Sequence, residues 1–283
     1  MPIDYEAAKA LVSTDQAFSH ADRDTMLYAL GIGLGADPMN TEELPFVYEN
    51  GLRVVPTQAT VMAWGAGQTM QMGINFMMVV HGEQRLTVHK TLPSEGDILA
   101  DWSVDEIVDK GEGKGAVIYN TTVLKEAKTG ETLATLGSTI FARADGGFGG
   151  PSEGGTPVHQ RPDREADRTV SIDTAPDQAL IYRLSGDRNP LHSDPEFAKM
   201  AGFDRPILHG LCTYGVCCRA ILQAYCDYDP TRIKQFDVRF SAPVFPGETI
   251  DVDVWEDGDV LSFEARVAAR GATVIKNGKC VLG

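Results

Sequence analysis

The run YRLSGDRNPLH, Tyr182 to His192, gathers an acid (Asp187), an amide (Asn189) and an imidazole (His192) into one short stretch whose turn Gly186 and Pro190 fix. A carboxylate and a neutral imidazole on one rigid loop hold a single water between them, one accepting its proton while the other supplies a proton to carbon. Addition of water to a double bond requires this. Aspartate, asparagine and histidine also dominate ordinary turns, so spacing alone leaves open a second reading in which Asp187 and Asn189 only shape the loop. Further on, Arg205-Pro-Ile-Leu-His209-Gly210 runs into an apolar stretch. If a helix starts there, its first N–H groups are unpaired and its positive dipole end lies at Gly210, which can then hold a carbonyl oxygen as enolate charge develops on it. His209 reads as a contact at the helix start or in the core in preference to a catalyst.

The elements that must position these residues follow from the hydropathy pattern. From about Gly210 through LCTYGVCCRAILQAYC the chain is apolar on nearly every face, which predicts a buried helix. Asp194-Pro195 supplies an N-cap and N1 pair for EFAKMAGF, and Ser19-His-Ala-Asp22 a capping box for a helix through MLYALGIG. RLTVHKTLP to GSTIFA alternates apolar and polar residues over four stretches broken at SEGD, DKGEGKG and KTGE, an antiparallel meander. KQFDVRFSAPVF to KCVLG repeats the plan with turns at PGE, EDGD, ARG and KNG. The glycine-, proline- and charge-rich stretch 142–168 between them has no apolar period and reads as a linker. The chain is thus read as two related units, 1–143 and 169–283, joined by a linker at 144–168. The first-half counterpart of the buried helix, TQATVMAWGAGQTMQMG, is interrupted by glycine, so that copy is expected to have a reduced helix.

The bulk numbers bound the function. The chain has 283 residues, 43% of them hydrophobic and 23% charged, within the range of folded proteins. With 40 acidic and 25 basic residues its formal charge is −15, which disfavours nucleic acid and anionic lipid, and no Lys/Arg run overrides it. Four of the five cysteines (Cys212, Cys217, Cys218, Cys226) fall in the apolar helix without a CxxC spacing, which predicts small buried residues in a reducing compartment and not a zinc site. MPIDYEAAKA lacks a signal peptide's layout, no apolar run is long enough to span a bilayer, and KCVLG lacks an SKL-type address. The expectation is a cytoplasmic, bacterial-type protein bound neither to membrane nor to nucleic acid.

YRLSGDRNPLH followed by PILHGLCTYG resembles the hydratase 2 motif of MaoC-like enzymes. YALGIG, FVYEN, VPT, HGEQ, KTLP, DKG and GGFGG resemble, in order, the motifs of the hydratase 2 unit of peroxisomal multifunctional enzyme type 2. The resemblance covers nearly the whole chain. It implies an α+β double hot-dog: two units, each a curved antiparallel sheet, with the central helix well formed in the second and reduced in the first.

By the same resemblance, the first unit binds acyl chain and coenzyme A, and the second carries the catalytic motif. Asp187, Asn189 and His192 hold the catalytic water and Gly210 forms the oxyanion hole. His81, Gly82, Lys110, Arg188, Pro190, Leu191 and Phe240 contact acyl-CoA, and Tyr28 and Glu49 match further first-half positions implicated in function. Each of the outlying positions also has a plain reading: Tyr28 as core, Glu49 as a solvated acid, Lys110 as a turn charge, Phe240 as a strand residue.

The implied activity is (R)-specific hydration of trans-2-enoyl-CoA by a homodimer, with no cofactor or metal and with coenzyme A only as part of the substrate. The alternatives are a MaoC-like dehydratase for a branched, dicarboxylic or sterol-derived acyl-CoA, an acyl-CoA thioesterase, and a silent acyl-CoA binder.

Overall fold

A computed structural model describes residues 3–283. Its strands are β1 (Val12–His20), β2 (Val79–Val88), β3 (Gly96–Asp109), β4 (Ala116–Glu126), β5 (Thr132–Ala142), β6 (Arg168–Asp173), β7 (Ile233–Phe240), β8 (Thr249–Asp257), β9 (Val260–Val267) and β10 (Ala272–Leu282). The helices are α1 (Tyr5–Lys9), α2 (Asp22–Gly31), α3 (Ala59–Met62), α4 (Gln178–Tyr182), α5 (Pro195–Met200) and α6 (Gly210–Tyr225). All ten strands form one antiparallel sheet in the order β1-β3-β4-β5-β2-β7-β10-β9-β8-β6. Each half of that order is the same five-strand path, and the two meet edge to edge at β2 and β7. The architecture is the α+β double hot-dog, its two units fused into one sheet.

The junction shows the duplication in its register. From the start of the first unit's loop to the head of β3, an offset of 151 positions carries Ala59, the first residue of α3, onto Gly210, the first of α6, and Gly96 at the head of β3 onto Gly247 just before β8. Under the same offset the observed pairs Thr87 with Gln235 and Gln84 with Val238 exchange with each other. The two central strands are therefore related by a local twofold axis.

Helix α6 is buried because nearly every face of it is apolar, and it packs against β6, β7 and β8. Tyr214 donates its hydroxyl to the Phe236 carbonyl (2.8 Å), and Phe236 stacks on Phe263 with ring centroids 5.0 Å apart. Each such fully buried large side chain contributes roughly 1.5–3 kcal/mol. The five cysteines are free and buried, and desolvation pushes the Cys226 thiol up to about 11 and the Cys218 thiol to about 12. They are protonated, inert packing residues.

Three sequence expectations change. Strands β1 and β6 were not read from the sequence: β1 lies at a sheet edge with one buried position, and β6, also at an edge, alternates over only six residues directly after the connector. Ser19 and His20 belong to β1 and not to a helix cap; α2 starts at Asp22, and Asp24 accepts the N–H of Ala21.

The third concerns the connector. It has no helix or strand from 143 to 167, yet it is strapped across the sheet. The Asp109 carboxylate accepts N–H bonds from Gly111, Gly147 and Gly149. Burial alone would raise its pKa, but these backbone donors outweigh that and hold it below the usual carboxylate range. Further along, His159 meets Ser262 Oγ at 2.7 Å and Trp255 donates to the Arg164 carbonyl. The first-half helix is reduced as expected, to the four residues of α3.

Candidate active site

The loop after α4 is built from its own side chains. Gly186 has φ +143°, a conformation open to glycine, and a Cβ there would stand 2.8 Å from Cγ of Trp64. Trp64, just beyond α3, thus braces the second unit's loop from the first unit. The Asn189 N–H donates to Asp187 Oδ1 (3.0 Å), and Asn189 Oδ1 accepts the Leu191 N–H (3.0 Å), capping the 3-10 turn Pro190–His192. Asp194 caps α5 behind it. One carboxylate oxygen of Asp187 is thereby fixed, and the other, Oδ2, lies 4.0 Å from Nε2 of His192.

The imidazole tautomer follows from its other partner. His192 Nδ1 is 2.9 Å from the Ile207 carbonyl, which only accepts, so the proton is on Nδ1 and the lone pair on Nε2. Burial lowers the His192 pKa against the raising effects of the Ile207 carbonyl and the Asp187 charge, so the ring is neutral at pH 7. Two acceptors therefore face each other across 4.0 Å, too far for a direct bond and suited to one water that donates to both, about 2.8 Å from each.

His209 fastens this pair. Its ring stacks on His192 with centroids 3.7 Å apart, and its Nε2 donates to the Asp187 carbonyl (3.1 Å). Burial first, and then the neighbouring His192, push its pKa down to about 3. Behind it Tyr182 (5.1 Å between centroids) and then Tyr28 (5.9 Å) continue the aromatic column into the core. Donor atoms of Asp187, His192 and His209 lie within 4.8 Å of one another, close enough for a metal ion. However, stacked imidazoles direct their in-plane lone pairs side by side and not toward one centre, so the set suits a water better than a tetrahedral ion.

Gly210 is the first residue of α6, after the N-cap His209, and its N–H has no acceptor among the described residues. Phe240 closes over it: a Cβ on Gly210 would be 3.3 Å from the Phe240 ring. Phe240 also packs on His81 (4.8 Å between centroids), whose Nε2 meets Ser138 Oγ at 3.0 Å and whose pKa burial lowers to about 4. Gly82 occupies the β2 bulge between His81 and Glu83. His81, Gly82, Phe240 and Gly210 thus converge from β2, β7 and α6.

The remaining expected residues divide. Pro190 and Leu191 belong to the loop, and Arg188 is exposed with its carbonyl accepting from Arg183. Lys110 is exposed in the β3–β4 turn. The last two lie apart from the loop. Tyr28 is fully buried, with its hydroxyl on Thr57 (2.9 Å), and supports Tyr182 from below. Glu49 is exposed in a bend, while the buried acid of that region is Glu43, 1% exposed and bonded to Arg219 of α6 at 2.9 and 3.1 Å. Trp64 and the Glu43–Arg219 pair escaped the sequence reading; contacts between units leave no local spacing to read.

These depressed histidines make stability depend on pH. His81 and His209 take up a proton in the unfolded chain near 6.5 but in the folded protein only near 4 and 3, so their contribution is complete above 6.5 and is lost as pH falls toward those values. Denaturant midpoints measured from pH 7 to pH 5 are expected to show a loss of roughly 2 kcal/mol per histidine, and His209→Phe should flatten the slope. A flat wild-type profile would show that neither ring is held neutral.

The family described as MaoC like domain matches residues 155–277, and that described as MFE-2 hydratase 2 N-terminal domain matches 18–144. The chain is similar to the enoyl-CoA hydratase ChsH3 of Mycobacterium tuberculosis, 41% identical over 98% of both chains. Among solved structures, a MaoC-like dehydratase from Phytophthora capsici superposes with TM-score 0.88 at 32% identity, over 99% of this chain and 98% of that one. The full-length peroxisomal multifunctional enzyme type 2 of Drosophila melanogaster gives TM-score 0.82 at 36% identity over 95% of this chain. This chain spans only 48% of that longer protein.

Proposed function

Because the chain belongs to the MaoC-like family in its two-unit hydratase 2 form, we propose that it is an (R)-specific 2-enoyl-CoA hydratase acting at Asp187 and His192. The observation that carries this reading is the 4.0 Å gap between Asp187 Oδ2 and His192 Nε2, two acceptors packed against His209, whose successor Gly210 starts α6 with its N–H unpaired among the described residues. The thioester carbonyl of trans-2-enoyl-CoA accepts from Gly210, which stabilises the enolate as it forms. The water held by the pair, with Asn189 at its side, adds its oxygen to C3 while one of its protons passes to Asp187 or His192. That proton is then delivered to C2 on the same face, giving the (R)-3-hydroxyacyl-CoA, and dehydration runs the same steps backward.

His81, Gly82, Phe240, Arg188, Pro190, Leu191 and Lys110 contact the acyl-CoA, and the space left by the reduced α3 takes the acyl chain in the first unit. The reaction needs no cofactor or metal, coenzyme A entering only as part of the substrate. The protein works as a cytoplasmic homodimer in fatty acid metabolism; no helix among the described residues is long and apolar enough to cross a membrane.

Mixing the protein with crotonyl-CoA and a longer 2-enoyl-CoA, with conjugated-thioester absorbance and free thiol followed together, tests this. Hydration gives loss of absorbance without thiol. Thiol release would make the protein a thioesterase, and silence on both substrates would overturn the substrate class.

A further inference from the structure

A cavity of about 220 Å³ lies at the far end of β2 and β7 from the candidate active site, about 20 Å along the strands. It is lined by Val88 to Leu92, by Pro230, Thr231 and Lys234, and by Val54 and Pro56. The offset of 151 positions that relates the two units carries these segments onto Arg239 to Pro243, Val79 to Glu83, and Arg205 and Ile207. Those are the segments that hold Phe240, His81 and Gly82 and the carbonyl that fixes His192. The cavity is therefore the twofold mate of the catalytic site.

The mate has lost the chemistry and changed its charge. Both units have an intervening loop of the same length, 32–58 in the first and 183–209 in the second. Ala36 stands at the position of Asp187 and Thr41 at that of His192, so no acid–imidazole pair is present to activate water. At the mouth, Lys234 replaces Glu83, Lys90 replaces Ser241, and His89 replaces Phe240. Lys90 is paired with Glu131, whereas Lys234 enters no ion pair among the described residues. The floor, with Val54, Pro56, Leu92 and Pro230, is buried and apolar. The uncompensated Lys234, with Lys90 able to exchange the exposed Glu131 carboxylate for a ligand anion, over an apolar floor suits a phosphate on a hydrocarbon stem. The volume is below the roughly 300–1,000 Å³ of sites that enclose a whole drug-sized ligand.

From this we infer that the first unit keeps a second, non-catalytic site for the phosphopantetheine end of a coenzyme A-type molecule. Its phosphate lies between Lys90 and Lys234, and its gem-dimethyl stem on the apolar floor. The inference rests on the acyl-CoA reading of the catalytic site.

Calorimetric titration with coenzyme A, which is not turned over, is expected to give two sites per chain, and Lys90→Gln/Lys234→Gln to weaken one of them roughly tenfold to hundredfold. Crotonyl-CoA hydration in that variant should be unchanged, which also shows that it folds. Inorganic phosphate should compete for the lysine site alone, and 4′-phosphopantetheine should bind there as coenzyme A does. A single site unaffected by the lysine changes would overturn the inference. So would a single site weakened together with a raised KM, because the lysines would then serve the catalytic ligand. If coenzyme A binds at a lysine-dependent site while no enoyl-CoA is hydrated, the second site stands and the catalytic reading fails.

Discussion

Asp187→Asn and His192→Gln are each expected to lower kcat for 2-enoyl-CoA hydration by roughly 10²–10⁴-fold, with the fold intact. Asparagine at 187 retains an oxygen for the Asn189 N–H, so the loop keeps its shape. What it loses is an acceptor at the position of Oδ2, where an amide nitrogen would donate toward the water instead. Glutamine at 192 has no basic ring nitrogen to put where Nε2 faces Oδ2 across 4.0 Å, and its amide takes up no proton near neutral pH. Because both groups act on one water, the double variant should fall little below either single one, as for residues that work as a unit. The wild-type profile of kcat/KM should decline as pH falls below the ordinary imidazole value of 6.5, since burial holds the His192 transition lower than that. An unchanged kcat in either variant, measured by loss of the conjugated-thioester absorbance, would remove the pair from the mechanism.

The largest stability effect is expected at a residue outside the chemistry. Glu43 accepts two bonds from Arg219, one from the Tyr228 hydroxyl (3.4 Å) and one from the Gly35 N–H (2.7 Å), tying the first unit's loop to α6 of the second. Its side chain is 2% exposed and that of Arg219 12%. Glu43→Ala strands a desolvated guanidinium and should cost about 3–5 kcal/mol, a fall in Tm on the order of 10 °C. Glu43→Met with Arg219→Met, which removes both charges and keeps the volume, should restore most of that loss. A cost below about 1 kcal/mol for Glu43→Ala would mean that water reaches the pair and that it is worth no more than a surface salt bridge.

The sequence was legible where a property is carried by neighbours in the chain. The grouping of acid, amide and imidazole in the loop was readable because Asp187, Asn189 and His192 are close in sequence, and the turn residues that hold them are local as well. Helix α6 declared itself by being apolar all round, and the strands of the two units by alternation with turns between; only three of each four run as a meander, because β2 and β7 cross over to lie beside β5 and β10, a pairing that alternation does not encode. Alternation fails in β1 at the sheet edge, and in β6 it is confined to six residues, too short a run to stand out after the connector. Composition alone likewise makes a glycine-rich connector look free, when Asp109, Ser262 and Trp255 pin it down. Glu49 and Tyr28, which the family resemblance named, lie apart from the loop: one is solvated, and the other lies beneath Tyr182.

The sequence by itself determined the two-unit plan, the acid–amide–imidazole grouping and the buried helix that starts at Gly210, because each depends on short spacing and on hydropathy period. Only the tertiary structure decided which nitrogen of His192 holds the lone pair, and that Trp64, His81 and Glu43 reach across from the other unit. Those facts depend on groups far apart in the chain, among them the Ile207 carbonyl, the stacked ring of His209, Phe240 and Arg219. Pairing and desolvation at such distances are set by packing and not by order along the chain.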